Sequence, residues 1–398
     1  MNIESFVNFD LSIEPGDYNF LAVVQSSPAG IAEEPISIPI HHQEILFFWQ
    51  QMTSEFENPD ADLDAQFSRA QDLGERLFRF VFPQTLQSRF TQSMEMAYAQ
   101  RQQIRLRLIL SEVPELTYLP WEFLYDPSQK LFLSLSPHVV LARQIDRLHQ
   151  IPSIGVRQPL RMLTVIPTPN NLPDFDRERE WLALVDTLDH LALEGKMIIE
   201  HLHPPTPFNL QRQLREKEYH ILHFIGYGEF DNFAQDGLLI FEDEAGRAKT
   251  VSGQHLGTML RDHNTLRLVN LNLRHPLTKR GSGASIEPSP FVAVAKSIVQ
   301  RGIPAVITLV HEMPPFAMLT FYDELLSALT EYASMESAVR QARQAVLSAQ
   351  HSAAWGVPIY VTRSTDGRLY YDLAQGPPEK RLNPSSNEIS SLRLRYWQ

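Results

Sequence analysis

Cysteine is absent from all 398 residues. That absence excludes a disulfide framework, a thiolate zinc site and any cysteine nucleophile supplied by this chain. A basic excess is missing as well: 35 lysines and arginines stand against 47 aspartates and glutamates, a formal net charge of −12. Neutralising phosphates needs clustered cations, so no nucleic-acid partner is expected. No apolar run approaches the roughly 18 residues of a membrane helix. Residues Met1–Asp10 (MNIESFVNFD) have neither a basic start nor a long apolar core. No membrane association is expected, and the chain is read as cytoplasmic. What is present is an apolar fraction of 43%, enough for real cores over one large or two ordinary domains.

From about Leu160 onward, short apolar runs alternate with segments of helical period. That is the pattern of a mostly parallel sheet with helices on its faces. Strands are expected at Leu160–Ile166, Met197–Leu202, Tyr219–Ile225, Leu266–Leu273, Pro304–Val310 and Pro358–Thr362, whose near-continuous apolar character suits strands covered on both sides. Helices are expected over Asp176–Glu194, Phe316–Leu329 and Met335–Ala349, with further helix starts at Thr206-Pro207 and Ser289-Pro290. In those pairs an N-cap residue precedes a proline at the first helical position, and Gly302 ends the later helix. In Met335–Ala349 the apolar stripe Ala338, Val339, Ala342, Val346 and Ala349 leaves Arg340, Arg343 and Gln344 facing elsewhere. Residues 1–150 read as a separate N-terminal α/β unit and 159–373 as the main α/β domain, with 374–398 as a flexible tail.

Six segments in order carry a family resemblance: LPWEFLYDP (Leu119–Pro127), FLSLSP (Phe132–Pro137), HFIGYG (His223–Gly228), LVNLNLR (Leu268–Arg274), RGIPAVI (Arg301–Ile307) and WGVPIYV (Trp355–Val361). Together they resemble the CHAT domain, a caspase-like group within the cysteine peptidase clan that also holds separases and gingipains. The resemblance implies a three-layer α/β/α sandwich of the caspase-haemoglobinase type with a mostly parallel sheet, plus an N-terminal α/β subdomain resembling a pseudo-caspase. It also implies a histidine and a cysteine at the carboxyl ends of adjacent strands, where open α/β sheets leave a crevice. Carried over, the histidine of Gly-His-Gly falls on Tyr227, between Gly226 and Gly228, and the cysteine falls on Arg274, after Asn272 and Leu273. Both dyad members are replaced. A guanidinium has no usable lone pair at neutral pH, and a phenol of pKa near ~10 is a poor base.

Two readings of the degenerate positions follow. Tyr227 and Arg274 can plug the old site through cation–π contact, or Arg274 can anchor an anion with Asn272 and Tyr227 adding hydrogen bonds. His275 could donate protons but has no nucleophile assigned, and His223 is read as structural. Gly281-Ser282-Gly283-Ala284-Ser285 does not fit a nucleophile elbow. His220 and His223 point to opposite strand faces, and His201 with His203 lacks a third ligand, so no metal or other cofactor is implied. Arg177-Glu178-Arg179-Glu180 and Glu242-Asp243-Glu244 read as solvated charge. The resemblance implies a catalytically inactive subunit in bacterial signalling or defence, with a protein partner such as an active homologue, another peptidase or an effector. The alternatives are a hydrolase with a relocated active residue, and a sensor of anionic ligands at Arg274. Oligomeric state is left open.

Overall fold

The computed structural model describes residues 5–377 apart from 17–18, 39, 57, 59–60, 146–150, 174, 275–289, 351 and 365. The chain opens with β1 (Phe6–Pro15), β2 (Phe20–Ser26) and β3 (Ala32–Ile36), then α1 (His42–Phe56), α2 (Leu63–Val81) and α3 (Gln84–Ala99). Next come β4 (Gln103–Ile109), the short β5 (Tyr125–Asp126) and β6 (Leu131–Phe132), β7 (Val139–Gln144), β8 (Ile154–Val156) and β9 (Leu160–Val165). Then α4 (Arg177–Leu193), β10 (Met197–His201), α5 (Pro207–Glu216), β11 (Ile221–Asp231), β12 (Asp236–Glu242), β13 (Ala248–Ser252) and α6 (Gly253–Arg261) follow. The last elements are β14 (Leu268–Arg274), α7 (Pro290–Gln300), β15 (Ala305–Leu309), α8 (Pro315–Thr330), α9 (Met335–Gln350), β16 (Pro358–Thr362) and β17 (Tyr370–Asp372).

Local chemistry accounts for several boundaries. Asp62, Asp176, Thr206 and Ser252 each accept a hydrogen bond from the backbone N–H three residues on, at 3.0–3.1 Å, satisfying a donor that the first helical turn leaves open. Gly302 follows α7 with φ +123°, a conformation that a side chain would strain.

Thirteen strands form one sheet, whose path runs β10-β9-β11-β14-β15-β16-β7-β4-β1-β2-β3, with the β12–β13 hairpin branching from β11. Pairing is parallel from β10 to β15 and from β16 to β1, and β16 runs antiparallel to β15. The mostly parallel sheet expected from the apolar runs is therefore present. It crosses the boundary drawn near 150–159, because β7 pairs with β16. Helices cover both sides. His223 in β11 meets Tyr322 of α8 on one face, while Thr308, just after Ile307 of β15, donates to the Phe291 carbonyl of α7 on the other. The tail from 378 and the loop holding Ser282 and Ser285 lie outside the described residues.

The sequence-based picture needs two additions here. The helix α1, where none was expected, supplies Ile45, Phe48, Trp49 and Met52 to the core at the i, i+3, i+4, i+7 spacing of an amphipathic helix. Arg343, set apart from the apolar stripe, is nonetheless fully buried and donates to the Pro358 carbonyl at 2.9 Å. Among the described residues no helix is long and apolar enough to cross a membrane.

Candidate functional site

Two neighbouring parallel strands build the site. In the register of β11 and β14, His223 lies opposite Asn270, Ile225 opposite Asn272 and Tyr227 opposite Arg274. Side chains alternate along a strand, so these six share one face of the sheet. A cleft of about 880 Å³ opens on that face between the sheet, α4 and α8, with Thr53 and Phe56 of α1 at its edge. His223, Tyr227, Asn272 and Arg274 all line it. Gly226 and Gly228 point the other way. A Cβ on Gly226 would come within 2.9 Å of the Phe224 ring, so glycine there permits close packing behind the cleft. His275 lies outside the described residues.

The mouth of the cleft is tied off from within the chain. Arg274 Nη2 lies 2.5 Å from Glu180 Oε1, and its guanidinium sits over the Phe175 ring at 4.6 Å. Phe175 in turn meets Tyr227 edge to face at 5.7 Å, and the Tyr227 hydroxyl donates to the Pro173 carbonyl at 2.9 Å. Tyr227 is almost fully buried, whereas the Arg274 side chain keeps 27% of its exposure. The ring under the guanidinium is thus Phe175, with Tyr227 one ring further on, where the sequence had suggested direct stacking of Arg274 on Tyr227. An ion pair this exposed contributes about 1 kcal/mol or less, and the cation–π contact about as much again. The latch is weak enough to open.

Phe175 and Glu180 were not visible as site residues. Glu180 is 94 positions from Arg274, and the run Arg177–Glu180 has the alternating charge of an ordinary solvated helix start. Its solvated reading fails at both ends: Glu180 pairs with Arg274, and Arg177 pairs with Glu242, which is itself buried and accepts from the Thr168 N–H at 2.8 Å. Asp176 caps α4 through the Arg179 N–H at 3.0 Å. That cap fixes the first turn, and the first turn aims Glu180 at the strand ends.

Deeper in, His223 is 1% exposed and its ring stands edge-on to Tyr322 at 4.6 Å. Burial pushes its imidazole down to about 3 and pushes the Tyr322 phenol up, so both are neutral over the physiological range. The cleft therefore carries its charge at the mouth and none at the floor.

The arrangement does not assemble acyl-transfer chemistry among the described residues. At the two strand ends stand a guanidinium and a phenol hydrogen-bonded as a donor, and neither supplies a nucleophile–base pair. His190 lies near Ser327 and Asp323, but the same ring nitrogen, Nε2, faces the serine at 3.2 Å and the aspartate at 3.5 Å. A triad needs the acid and the nucleophile on opposite nitrogens. His220 is held elsewhere, its Nδ1 accepting from the Arg161 N–H at 2.9 Å, and His201 stacks on Trp181 at 4.8 Å. Among the described residues no group of three or more His, Asp or Glu is placed to hold a metal ion.

Comparison with known proteins places the chain as follows. The profile of the family described as CHAT domain matches residues 71–397. Among solved structures, the Arg-specific cysteine proteinase gingipain R is similar at 9% identity and a TM-score of 0.44, with 77% of this chain and 76% of that one covered. The complex of Porphyromonas gingivalis RgpB pro- and mature domains gives 10% identity and a TM-score of 0.41, covering 78% and 77%. The Saccharomyces cerevisiae separase–securin complex gives 12% and 0.37, covering 81% of this chain and 22% of that one. No curated protein matches.

Proposed function

Because this chain belongs to the CHAT domain family, whose profile spans residues 71–397, we propose that it is a catalytically inactive pseudopeptidase that works by binding a protein partner. The observation that carries the proposal is the pairing of a cysteine-free chain with an occupied strand-end position: Arg274 stands where the family's nucleophile is inferred, held by Glu180 and Phe175. A thiol peptidase needs a thiolate and an adjacent imidazole. Here the scaffold and the cleft are kept and the dyad is not. Partner binding in a bacterial signalling or defence system follows from the family resemblance, with an active homologue or an effector as the partner.

Of the two readings of Arg274, the internal latch is favoured over a ready anion anchor, since the guanidinium already has a carboxylate and a ring. An anionic ligand would have to displace Glu180. Affinity capture from the native host, with wild type beside the Tyr227→Ala, Arg274→Ala double variant, tests where binding occurs. A stoichiometric partner lost in the double variant supports the degenerate site. A partner kept by both moves binding to another surface, and no partner at all, together with turnover of a peptide panel, restores the hydrolase alternative.

The dyad assignment has its own test. Strand neighbours lie about 4.8 Å apart, so Tyr227→His with Arg274→Cys puts an imidazole beside a thiol. At pH 6.5 the double variant is expected to react with iodoacetamide about tenfold faster than Arg274→Cys alone, because a neighbouring imidazolium stabilises the thiolate. Equal rates would mean the two positions do not form the family's dyad.

A further inference from the structure

Three polar side chains stand abreast in the sheet beneath the cleft, and the middle one, His223, lines it. His223 is in register with Thr164 of β9 on one side and Asn270 of β14 on the other, and partners in adjacent parallel strands point to the same face. Thr164 and Asn270 are fully buried and His223 nearly so. Tyr322 of α8 faces His223 at 4.6 Å and is equally buried. Five polar atoms here have no hydrogen-bond partner among the described residues: Thr164 Oγ1, His223 Nδ1, Asn270 Oδ1 and Nδ2, and the Tyr322 hydroxyl. An orphaned buried polar atom destabilises a fold, and apolar residues of similar shape would pack without that cost. So dense a group calls for a reason other than packing.

The cleft supplies one. His223 and Tyr322 line it, and so do the apolar side chains of Leu184, Ile225, Met318 and Leu319, while Glu180 and Arg274 border its mouth. From His223 to Tyr227 the strand advances about 13 Å. The cleft is thus charged at its entrance, apolar along its walls and neutral but hydrogen-bonding at its end. An ion would find no countercharge in the row, and burying an unpaired charge there is strongly unfavourable. The neutral imidazole of His223 and the phenol of Tyr322 together offer a donor and an acceptor at this end, the complement of an amide.

We infer that His223 and Tyr322, backed in the sheet by Thr164 and Asn270, form the end of a binding slot for an extended group with an apolar stem and a neutral amide or urea head, of the kind carried by an Nε-acetylated lysine side chain. The inference rests on reading the cleft as a binding site and adds what it takes. The head hydrogen-bonds to His223 and Tyr322, the stem runs along Ile225 and Met318, and the rest of the ligand leaves past Arg274. The source is either a side chain of a partner protein or a free small molecule bearing the same head.

The test is calorimetric titration of the full chain with three probes: a capped glycine-rich peptide holding one Nε-acetyl-lysine, the same peptide with lysine, and free Nε-acetyl-lysine. The acetylated peptide is expected to bind at least about a hundredfold more tightly than the unmodified one, whose ammonium has no partner in the row. Tyr322→Phe, which is nearly isosteric, should weaken the acetylated probes about tenfold by removing one hydrogen bond. Its urea midpoint should equal or exceed that of wild type, since an orphaned hydroxyl is gone; a residue with a purely structural role would shift stability and leave affinity alone. A peptide that binds more tightly than the free amino acid assigns a protein source, and equal affinities assign a small molecule. No binding of either acetylated probe, or binding indifferent to Tyr322→Phe and to His223→Phe, overturns the inference. A partner captured by wild type and lost in the Tyr227→Ala, Arg274→Ala variant would in that case leave the cleft as the binding site while removing this assignment of its floor.

Discussion

Acidification from pH 7 to pH 3 is expected to remove on the order of 5 kcal/mol of stability through His223 alone. Burial holds the folded-state imidazole down to about 3, against an ordinary value near ~6.5 in the unfolded chain. Between those two values the unfolded state binds a proton that the folded state refuses. Stability from this group is therefore complete above about pH 6.5 and is lost progressively as pH falls toward 3. His223→Phe keeps a ring and removes the titration. Urea midpoints measured across this range should fall more steeply in wild type than in the variant, with the two curves nearest in form above pH 7. Carboxylates titrate in both proteins, so the difference isolates the imidazole. Curves of equal slope would mean that His223 is protonated in the fold at ordinary acid strengths and that the floor of the cleft is wetter than its burial indicates.

Glu122→Ala is expected to destabilise the protein by about 3–5 kcal/mol, measured as a drop in the urea midpoint. Glu122 is 1% exposed and takes a bidentate pair from Arg143, with Nε at 3.0 Å and Nη2 at 2.6 Å. The same guanidinium donates to the Thr117 carbonyl at 2.6 Å and the Leu119 carbonyl at 3.0 Å, so it staples the turn before Trp121 to β7. A second buried cation, Arg343, feels the same carboxylate, and burial lowers it to about 10. Removing Glu122 strands both guanidiniums in the core, which is the costly way to break a buried pair. Glu122→Gln keeps an acceptor and the volume, and should lose less. Arg143→Met with Glu122→Leu removes both charges of the pair but leaves Arg343, so it should recover only part of the loss. A midpoint for Glu122→Ala within error of wild type would show that water reaches this network.

The strands of the carboxyl-terminal part were legible because a parallel sheet covered on both sides writes itself as apolar runs, and β9, β10, β15 and β16 lie within the stretches those runs marked. Helix starts were legible for a similar reason: Thr206 before Pro207 can cap and cannot continue upstream, and it caps α5. Arg177 was misjudged because charge reads as exposure until a partner is known, and its partner, Glu242, comes from a distant segment. The same holds for Glu180, whose run looked like any amphipathic helix start.

What the sequence determined by itself is what this chain cannot do: with no cysteine, thiol chemistry by its own side chains is excluded by composition, since no fold can supply a missing atom. It also set the alternation that places His223, Ile225 and Tyr227 on one face, because strand periodicity is local. Tertiary structure alone decided that Phe175 and Glu180 close over Arg274, and that Thr164, His223, Asn270 and Tyr322 converge beneath them. Those groups come from separate elements spread along the chain. Their meeting depends on strand order and on the seating of α4 and α8 against the sheet, which no local pattern encodes.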